Sequence, residues 1–250
     1  MFIALYYLPI LGKLIWPYYL SLPISYALKE SVVLYIYSWC VYLLINFTFF
    51  VIYYLKWDFF ERYKHNPEPW PWEKDPVAWK KLLKRTMKAI LFNNFVVVPP
   101  FFALNAWLAD YKCLYSEDIE SLPDSKVLLL TMIFCTLCET FVTTTTHAIL
   151  HHPRLYPHIH KIHHEHVTTV CISTEYAHPI EYIVGNIIPI SVGPMLLGKH
   201  IHLYTMMLFF GFRILMAAED HSGYSFSWST SRLMPFMTDP DYHNFHHSHN

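Results

Sequence analysis

Charged side chains are scarce in this sequence of 250 residues. Asp, Glu, Lys and Arg together make up 15% of it, whereas soluble domains usually contain about 25%. The net charge is −1, so the basic excess that is typical of nucleic-acid-binding proteins is missing. Glycine is rare too, and the six glycines form neither a G-x-G-x-x-G nor a Walker arrangement. The sequence therefore lacks a nucleotide-binding fingerprint and argues against a nucleic-acid partner.

The five cysteines are an odd number and are scattered along the chain, which does not indicate a disulfide framework. Cys135 and Cys138 form a C-x-x-C pattern, but they lie inside an apolar run. Free thiols in such runs usually act as small packing residues. We interpret this pair as packing cysteines rather than as a redox or metal motif.

Long apolar runs take the place of the missing charge, and 54% of the residues are apolar. The runs are residues 31–55, 87–108, 127–150 and 182–218. The first carries no charge over 25 positions, and a bilayer core needs about 20 apolar residues. Pro99 and Pro100 are expected to break or kink the second run, and Glu139 is the one charge in the third. The fourth run is short for two spans, so we predict a hairpin there.

The loops between these runs differ in positive charge. Residues 56–88 contain nine Lys and Arg residues, whereas residues 109–126 contain two. Short loops rich in Lys and Arg are normally cytoplasmic, so we predict a basic cytosolic loop at 56–88. Following the chain from there places residues 151–181 and 219–250 on the same, cytosolic side.

Most of the 17 histidines lie in three short stretches. His147 and His151 are four positions apart, which places both rings on one side of a helix. Two later stretches repeat the pattern i, i+3, i+4, which predicts one helix face each. These stretches are His160, His163 and His164, and then His243, His246 and His247.

A single histidine on a helix is usually an ordinary polar or core residue, and we interpret His65, His200 and His202 in that way. Eight imidazoles in three groups on one side of the membrane instead favour a pair of metal ions, because neutral imidazole binds Zn, Fe, Cu and Ni. The other ring nitrogen of each ligand needs an orienting partner. Nearby candidates are Glu165, Glu181, Asp220 and Asp241. The out-of-phase rings, which we expect to support the site or face solvent, are His152, His158, His166 and His249.

The three groups read H-x-x-x-H, H-x-x-H-H and H-x-x-H-H, and the linking text includes "EYAHPIE" and "EDHSGYSFSWSTSRLMPF". Together they resemble the fatty acid hydroxylase and sterol desaturase superfamily of membrane non-haem di-iron oxygenases. The resemblance covers roughly residues 126–250, the expected catalytic domain, and leaves residues 1–125 as an N-terminal membrane region. It implies that His178 and His221 complete the ligand set. That set is then His147, His151, His160, His163, His164, His178, His221, His243, His246 and His247.

The resemblance implies an all-α, multi-pass membrane bundle with a histidine-rich cytosolic cap, in the endoplasmic reticulum. It also implies two irons, replaceable by zinc on purification, with O₂ as co-substrate. Electrons would come from a membrane b-type cytochrome and an NAD(P)H-dependent reductase, and the basic loop 56–88 could bind such a carrier. The hairpin 182–218 and the third span are expected to form the walls of a lipid pocket.

Within the superfamily the linking text is similar to both the 4-methylsterol oxidases and the cholesterol 25-hydroxylases, so the oxidised carbon stays open. Two other readings remain: a metal-binding protein without oxygenase activity, holding zinc or a sterol, and a fatty-acyl or alkyl lipid hydroxylase. A metal transporter is disfavoured, because the histidines lie beyond the span ends. Family members continue past the last histidine group, so we also expect that the C-terminus is truncated.

Overall fold

The computed structural model describes residues 2–108, 110, 112–233, 237 and 239–249, and this part of the chain contains helices and no β-strand. The α-helices are α1 (Phe2–Leu20), α2 (Tyr26–Leu55), α3 (Asp58–Glu61), α4 (Pro71–Lys74), α5 (Pro76–Phe92), α6 (Val98–Leu108), α7 (Ser125–Leu150), α8 (Pro179–Glu181), α9 (Ile188–Leu197), α10 (Leu203–Asp220) and α11 (Pro240–Ser248). Short 3₁₀ helices cover Ile119–Ser121, His160–Glu165, Cys171–Glu175, Gly198–His200 and Thr230–Leu233. Two π-helical turns cover Asn93–Val97 and Tyr182–Ile187.

Four helical segments are long and apolar enough to cross a membrane. They are Lys29–Leu55, Pro76–Leu108, Ser125–Leu150 and Pro179–His200. The shortest of them has 22 residues, and a helix needs about 20 to span a bilayer core. The prediction of an all-α membrane protein is therefore confirmed. The segment 182–218, predicted as a hairpin, contains α9, a 3₁₀ turn and α10 in succession.

The second span differs from its prediction in two respects. Pro99 and Pro100 do not break it, because a π-helical turn directly precedes them and Val98 N donates to Asn93 O, five residues back. Such a turn lets a helix continue where proline supplies no N–H. The span also begins early, at Pro76, so the second half of the predicted loop 56–88 is helical. Asp75 starts this helix by accepting hydrogen bonds from Val77 N and Ala78 N.

Close helix packing holds the bundle together. At Gly193 of α9, an added Cβ would lie 2.7 Å from the Cα atom of Cys135 in α7, so these two helices approach each other as closely as their backbones allow. Cys135 is buried, as predicted for a packing cysteine. Glu139, the single charge of the third run, forms an ion pair with Arg213 of α10, whose Nη2 lies 2.6 Å from Oε1. Buried charges of this kind need such a partner.

A partly open cavity of about 200 Å³ lies between the helices of the bundle. Its walls come from α2, both π-helical turns and the helices that follow them, and α10. The hairpin forms part of the wall, as expected, but the expectation for the third span is wrong. No residue of α7 lines the cavity, although α9, which does line it, packs closely against α7.

Candidate metal centre

The first histidine group lies where α7 ends. His147 is in the last turn of the helix, and His151 caps it, with its backbone N–H donating to His147 O. Both rings lie on one side, as their spacing predicts, and their centroids are 4.7 Å apart. The third group lies on α11, whose start is capped by Asp239. These two groups therefore sit on α-helices, as predicted.

The second histidine group does not lie on an α-helix. Residues His160–Glu165 form a 3₁₀ helix, so the predicted single α-helical face is wrong there. Residues three apart eclipse each other in a 3₁₀ helix, and the rings of His160 and His163 are indeed stacked at 25°. The ring of His164 stands at 79° to that of His160. Two rings of this tight turn are therefore nearly parallel, and the ring of His164 is nearly perpendicular to both.

The rings meet in two groups of four, which we call the first and second quartets. The first quartet is His147, His151, His160 and His246, and the second is His163, His221, His243 and His247. In each quartet, one nitrogen per ring lies within 4.8 Å of the others. His160 belongs to one quartet and His163 to the other, so the 3₁₀ helix contributes to both. Four imidazoles at such distances are a donor set typical of transition metals.

Two predicted ligands lie outside the quartets. His164 lies beside them: its Nε2 is 3.0 Å from that of His160, and its ring centroid is 4.5 Å from that of His247. His178 belongs to neither quartet. Its Nδ1 accepts a hydrogen bond from Ile180 N and caps α8, so we leave it out of the proposed ligand set.

Hydrogen bonds at Nδ1 fix the orientation of three rings. The Nδ1 atom of His160 lies 2.6 Å from Glu181 Oε1. The Nδ1 of His163 lies 3.0 Å from the carbonyl oxygen of Tyr176. The Nδ1 of His221 lies 2.8 Å from the carbonyl oxygen of Ala217 in α10. Each acceptor requires an N–H at Nδ1. In a neutral ring, the lone pair is then at Nε2.

These lone pairs point at one another. The Nε2 atoms of His163 and His221 are 3.2 Å apart, although both rings carry their hydrogen at Nδ1. Two lone pairs at that distance repel, and a cation between them removes the repulsion. The ring of His247 is a second indication of a bound ion, because both of its nitrogens are buried without a hydrogen-bonding partner. Buried polar atoms of this kind call for an explanation such as an ion. The residues present therefore fit a pair of imidazole-bound metal ions.

Burial also keeps the rings in the form that binds metal. It lowers the pKa of His160 and of His246 to about 4. Burial, together with the neighbouring His163, lowers the pKa of His221 to about 3. These rings are therefore neutral at physiological pH, and a neutral imidazole is the ligand form.

Of the four carboxylates considered as orienting partners, only Glu181 contacts a ring of the quartets. Glu165 instead binds Arg85 and Tyr176, and Asp241 binds His65 and Arg232. Asp220 Oδ1 is buried without a partner. Sequence reasoning missed the two backbone carbonyls that orient His163 and His221, because a carbonyl has no side-chain signature. Among the out-of-phase rings, His166 is buried, with Nε2 2.8 Å from Thr86 Oγ1.

Comparison with known proteins agrees with this geometry. Residues 132–250, which contain every member of both quartets, match the family model described as fatty acid hydroxylase. The chain belongs to the fatty acid hydroxylase and sterol desaturase superfamily. No solved structure matches it significantly.

The similar proteins of this superfamily carry several names. Methylsterol monooxygenase 2-2 of Arabidopsis thaliana is 35% identical over 69% of this chain and 61% of its own length. Fatty acid hydroxylase domain-containing protein 2 of Homo sapiens is 32% identical over 69% of this chain and 47% of its own length. A very-long-chain aldehyde decarbonylase of Oryza sativa subsp. japonica is 39% identical over 50% of this chain and 46% of its own length. The chain thus spans about half to just under two thirds of these relatives.

The quartets predict a metal content of about two ions per chain. His243→Ala removes one ligand of the second quartet only, so metal content is expected to fall from about two ions towards one, as measured by elemental analysis of protein purified without oxygen. His158→Ala is the matched control, since His158 is exposed and lies between the first two histidine groups. A His243→Ala protein that retained two ions would contradict the assignment of this quartet.

The hydrogen bond from His160 to Glu181 predicts a weaker first quartet when the carboxylate is lost. Removing such an orienting partner typically costs 10- to 100-fold in metal affinity. We expect a decrease of about that size for Glu181→Ala, measured by competition with a chelator. Glu181→Gln keeps an oxygen acceptor for Nδ1 and should retain more affinity than the alanine variant. Equal affinities of the two variants would show that the bond does not position His160.

Proposed function

We propose that this protein is a membrane-bound non-haem di-iron monooxygenase that oxidises a C–H bond of a sterol or a related lipid, using O₂ and electrons from outside the chain. The observation that carries the proposal is the pair of imidazole quartets, which share one 3₁₀ helix. Glu175 and Tyr182, which are next in the chain to the partners of two quartet rings, line a cavity between the helices. Such a donor set has room for two metals, and an apolar cavity in a bilayer admits lipids rather than water-soluble substrates.

In this proposal the protein provides binding and orientation. An unactivated C–H bond cannot be attacked by the acids, bases and nucleophiles of a protein, so bound iron would supply the oxidising chemistry. The two π-helical turns and α10 enclose the hydrocarbon of the substrate and exclude water. Glu181 and the carbonyls of Tyr176 and Ala217 hold three ligand rings in place.

A sterol is the favoured substrate for two reasons. The Arabidopsis relative is named a methylsterol monooxygenase, and the cavity is lined largely by aromatic and aliphatic side chains of four helical segments, which suits the apolar ring system of a sterol. The human and rice relatives, whose names mention fatty acids and very-long-chain aldehydes, favour a second candidate. That candidate is a fatty-acyl or alkyl lipid hydroxylase with the same metal centre.

The electron donor would bind the basic face of α5. Lys80 and Lys84 are exposed and one turn apart on this helix. Arg85, next to them, donates to Glu165 at 2.9 Å, and so α5 directly contacts the 3₁₀ helix of the metal centre. A membrane b-type cytochrome, fed by an NAD(P)H-dependent reductase, has the acidic surface that such a face would attract. Ordinary retention of positive charge in the cytosol would also produce this composition.

The same charges support an orientation. Lys and Arg cluster at 56–88, close to the metal centre, and are few at 109–126. By the positive-inside rule the metal centre then faces the cytosol. We propose the endoplasmic reticulum membrane as the location, where a sterol substrate and membrane-bound electron carriers occur together.

The proposed activity predicts O₂-dependent loss of a 4-methylsterol. Purified protein in lipid nanodiscs, supplied with iron, cytochrome, reductase and NADH, should produce an oxidised sterol detectable by mass spectrometry, with ¹⁸O from ¹⁸O₂ in the product. His247→Ala should form none, because this ring is a buried ligand of the second quartet. Product from a fatty-acyl lipid alone would favour the second candidate. Tightly bound zinc without any product would favour a non-oxygenating protein.

The basic face of α5 predicts salt-dependent electron transfer. Lys80→Glu combined with Lys84→Glu should slow reduction by the cytochrome several-fold at low ionic strength, measured by stopped-flow absorbance. The difference should shrink at high salt, because exposed charges are then screened. Lys126→Glu is the control, since this exposed lysine lies at the opposite end of the bundle. Equal rates for the double variant and the control would exclude α5 as the docking surface.

A further inference from the structure

A cluster of three polar side chains lies in the wall of the otherwise largely apolar cavity. Its members are Asn94 from the first π-helical turn, Glu175 from a 3₁₀ helix and Tyr182 from the second π-helical turn. The Tyr182 hydroxyl lies 2.5 Å from Glu175 Oε2, and Asn94 Nδ2 donates to the same oxygen at 3.1 Å. Asn94 and Tyr182 therefore hold the Glu175 carboxyl in one orientation.

Only one of the two oxygens of the Glu175 carboxyl makes hydrogen bonds to the protein. Both bonds go to Oε2, and Oε1 has no hydrogen-bonding partner among the residues that the structure describes. No described Lys or Arg lies within ion-pair distance of Glu175. Because the residue lines the cavity, its remaining oxygen is available to a molecule bound there.

The cluster lies next to the metal centre along the chain. Glu175 precedes Tyr176, whose carbonyl oxygen orients His163 of the second quartet. Tyr182 follows Glu181, whose carboxylate orients His160 of the first quartet. Successive Cα atoms are only 3.8 Å apart. The Glu175 end of the cavity is therefore formed by residues that directly adjoin, along the chain, the partners of one ring in each quartet.

The cavity extends far from this end. Along α2 its wall runs from Glu30 to Tyr42, which corresponds to about 18 Å at 1.5 Å per residue. Tyr42 is near the end that contains Glu175, since its hydroxyl donates to the carbonyl oxygen of Ile172, three residues before Glu175, and Glu30 is at the other. The cavity is thus long enough for one elongated lipid, with a carboxyl at each end and mostly apolar walls between them.

The chemistry of the carboxyl selects among lipid head groups. Burial raises the pKa of Glu175, which favours the neutral carboxylic acid relative to an exposed glutamate. A hydroxyl satisfies either form, because it can donate to a carboxylate and accept from a carboxylic acid. A lipid that ends in a carboxylate would instead be repelled by the charged form.

We infer that Glu175, held by Asn94 and Tyr182, binds the hydroxyl group of an elongated lipid and so brings the hydroxyl-bearing end to the metal centre. The inference rests on the proposed function and deepens it. The oxidised carbon then lies close to the hydroxyl, as in a 4-methylsterol, and not at the far end of the molecule. A side-chain hydroxylase would require the reverse orientation, with the hydroxyl at Glu30.

The test compares two probes, 4α-methylcholestan-3β-ol and 4α-methylcholestane, which lacks the hydroxyl. A hydrogen bond that involves a charged group corresponds to about 10- to 100-fold in binding. The natural protein in nanodiscs should bind the hydroxylated probe more tightly by about that factor, measured with tritiated probes at equilibrium. Glu175→Leu should remove this preference, and Glu175→Gln, which keeps an oxygen and an N–H, should restore part of it.

Glu30→Gln is the matched control, because it alters the carboxyl at the opposite end of the same cavity. It should change the binding of both probes by the same factor. A loss of preference in Glu30→Gln, with Glu175→Leu unaffected, would show that the lipid binds in the reverse orientation and would overturn the inference. An equal decrease for both probes in Glu175→Leu would do the same, since it would indicate a purely structural role.

Binding and turnover separate this inference from the proposed function. Equilibrium binding does not need oxidation, so a preference that depends on Glu175 in a protein without turnover would support the inference and count against the oxygenase. Oxidation of both probes at equal rates, unchanged by Glu175→Leu, would retain the oxygenase and reject the inference. In active protein, the preference should appear in KM together with a change of the oxidised position in Glu175→Leu.

Discussion

The site depends on the hydrogen bonds that hold Nδ1 of its histidines. His160, His163 and His221 each place this nitrogen against a fixed acceptor, which leaves Nε2 of every ring as a lone-pair donor. The rings cannot relieve the resulting repulsion by changing tautomer, because each change would leave a buried carboxylate or carbonyl without its donor. A cation bound between these nitrogens would remove the repulsion between their lone pairs. Orienting partners of this kind also raise the basicity of the ligand.

This arrangement couples the fold to the metal. The quartets join α7, the 3₁₀ helix His160–Glu165, the end of α10 and α11, so bound metal would tie together four segments far apart in sequence. Burial lowers the pKa of His246 to about 4, so its ring stays uncharged and available at physiological pH. Since ligands must be neutral to bind, metal affinity and local stability share one dependence on pH.

The two π-helical turns connect the metal centre to the cavity. Each directly precedes a helix that has proline at its second position, Pro99 in α6 and Pro189 in α9. π-helical turns often occur at functional sites, and here they place Asn94 and Tyr182 against Glu175. The same chain segment, residues 175–182, carries the partners of two ligand rings. If the proposed lipid and metals bind as inferred, this one short segment would relate their positions to each other.

The sequence by itself determined the features that arise from local periodicity. Apolar runs predicted the spans, and the spacing of His147 and His151 or of His243 and His247 predicted rings on a shared helix face. Only the tertiary structure decided which ring joins which quartet, that His178 stays outside them, and that carbonyls of Tyr176 and Ala217 orient two ligands. These features depend on contacts between distant segments and on backbone atoms that every residue possesses, so no pattern in the sequence predicts them.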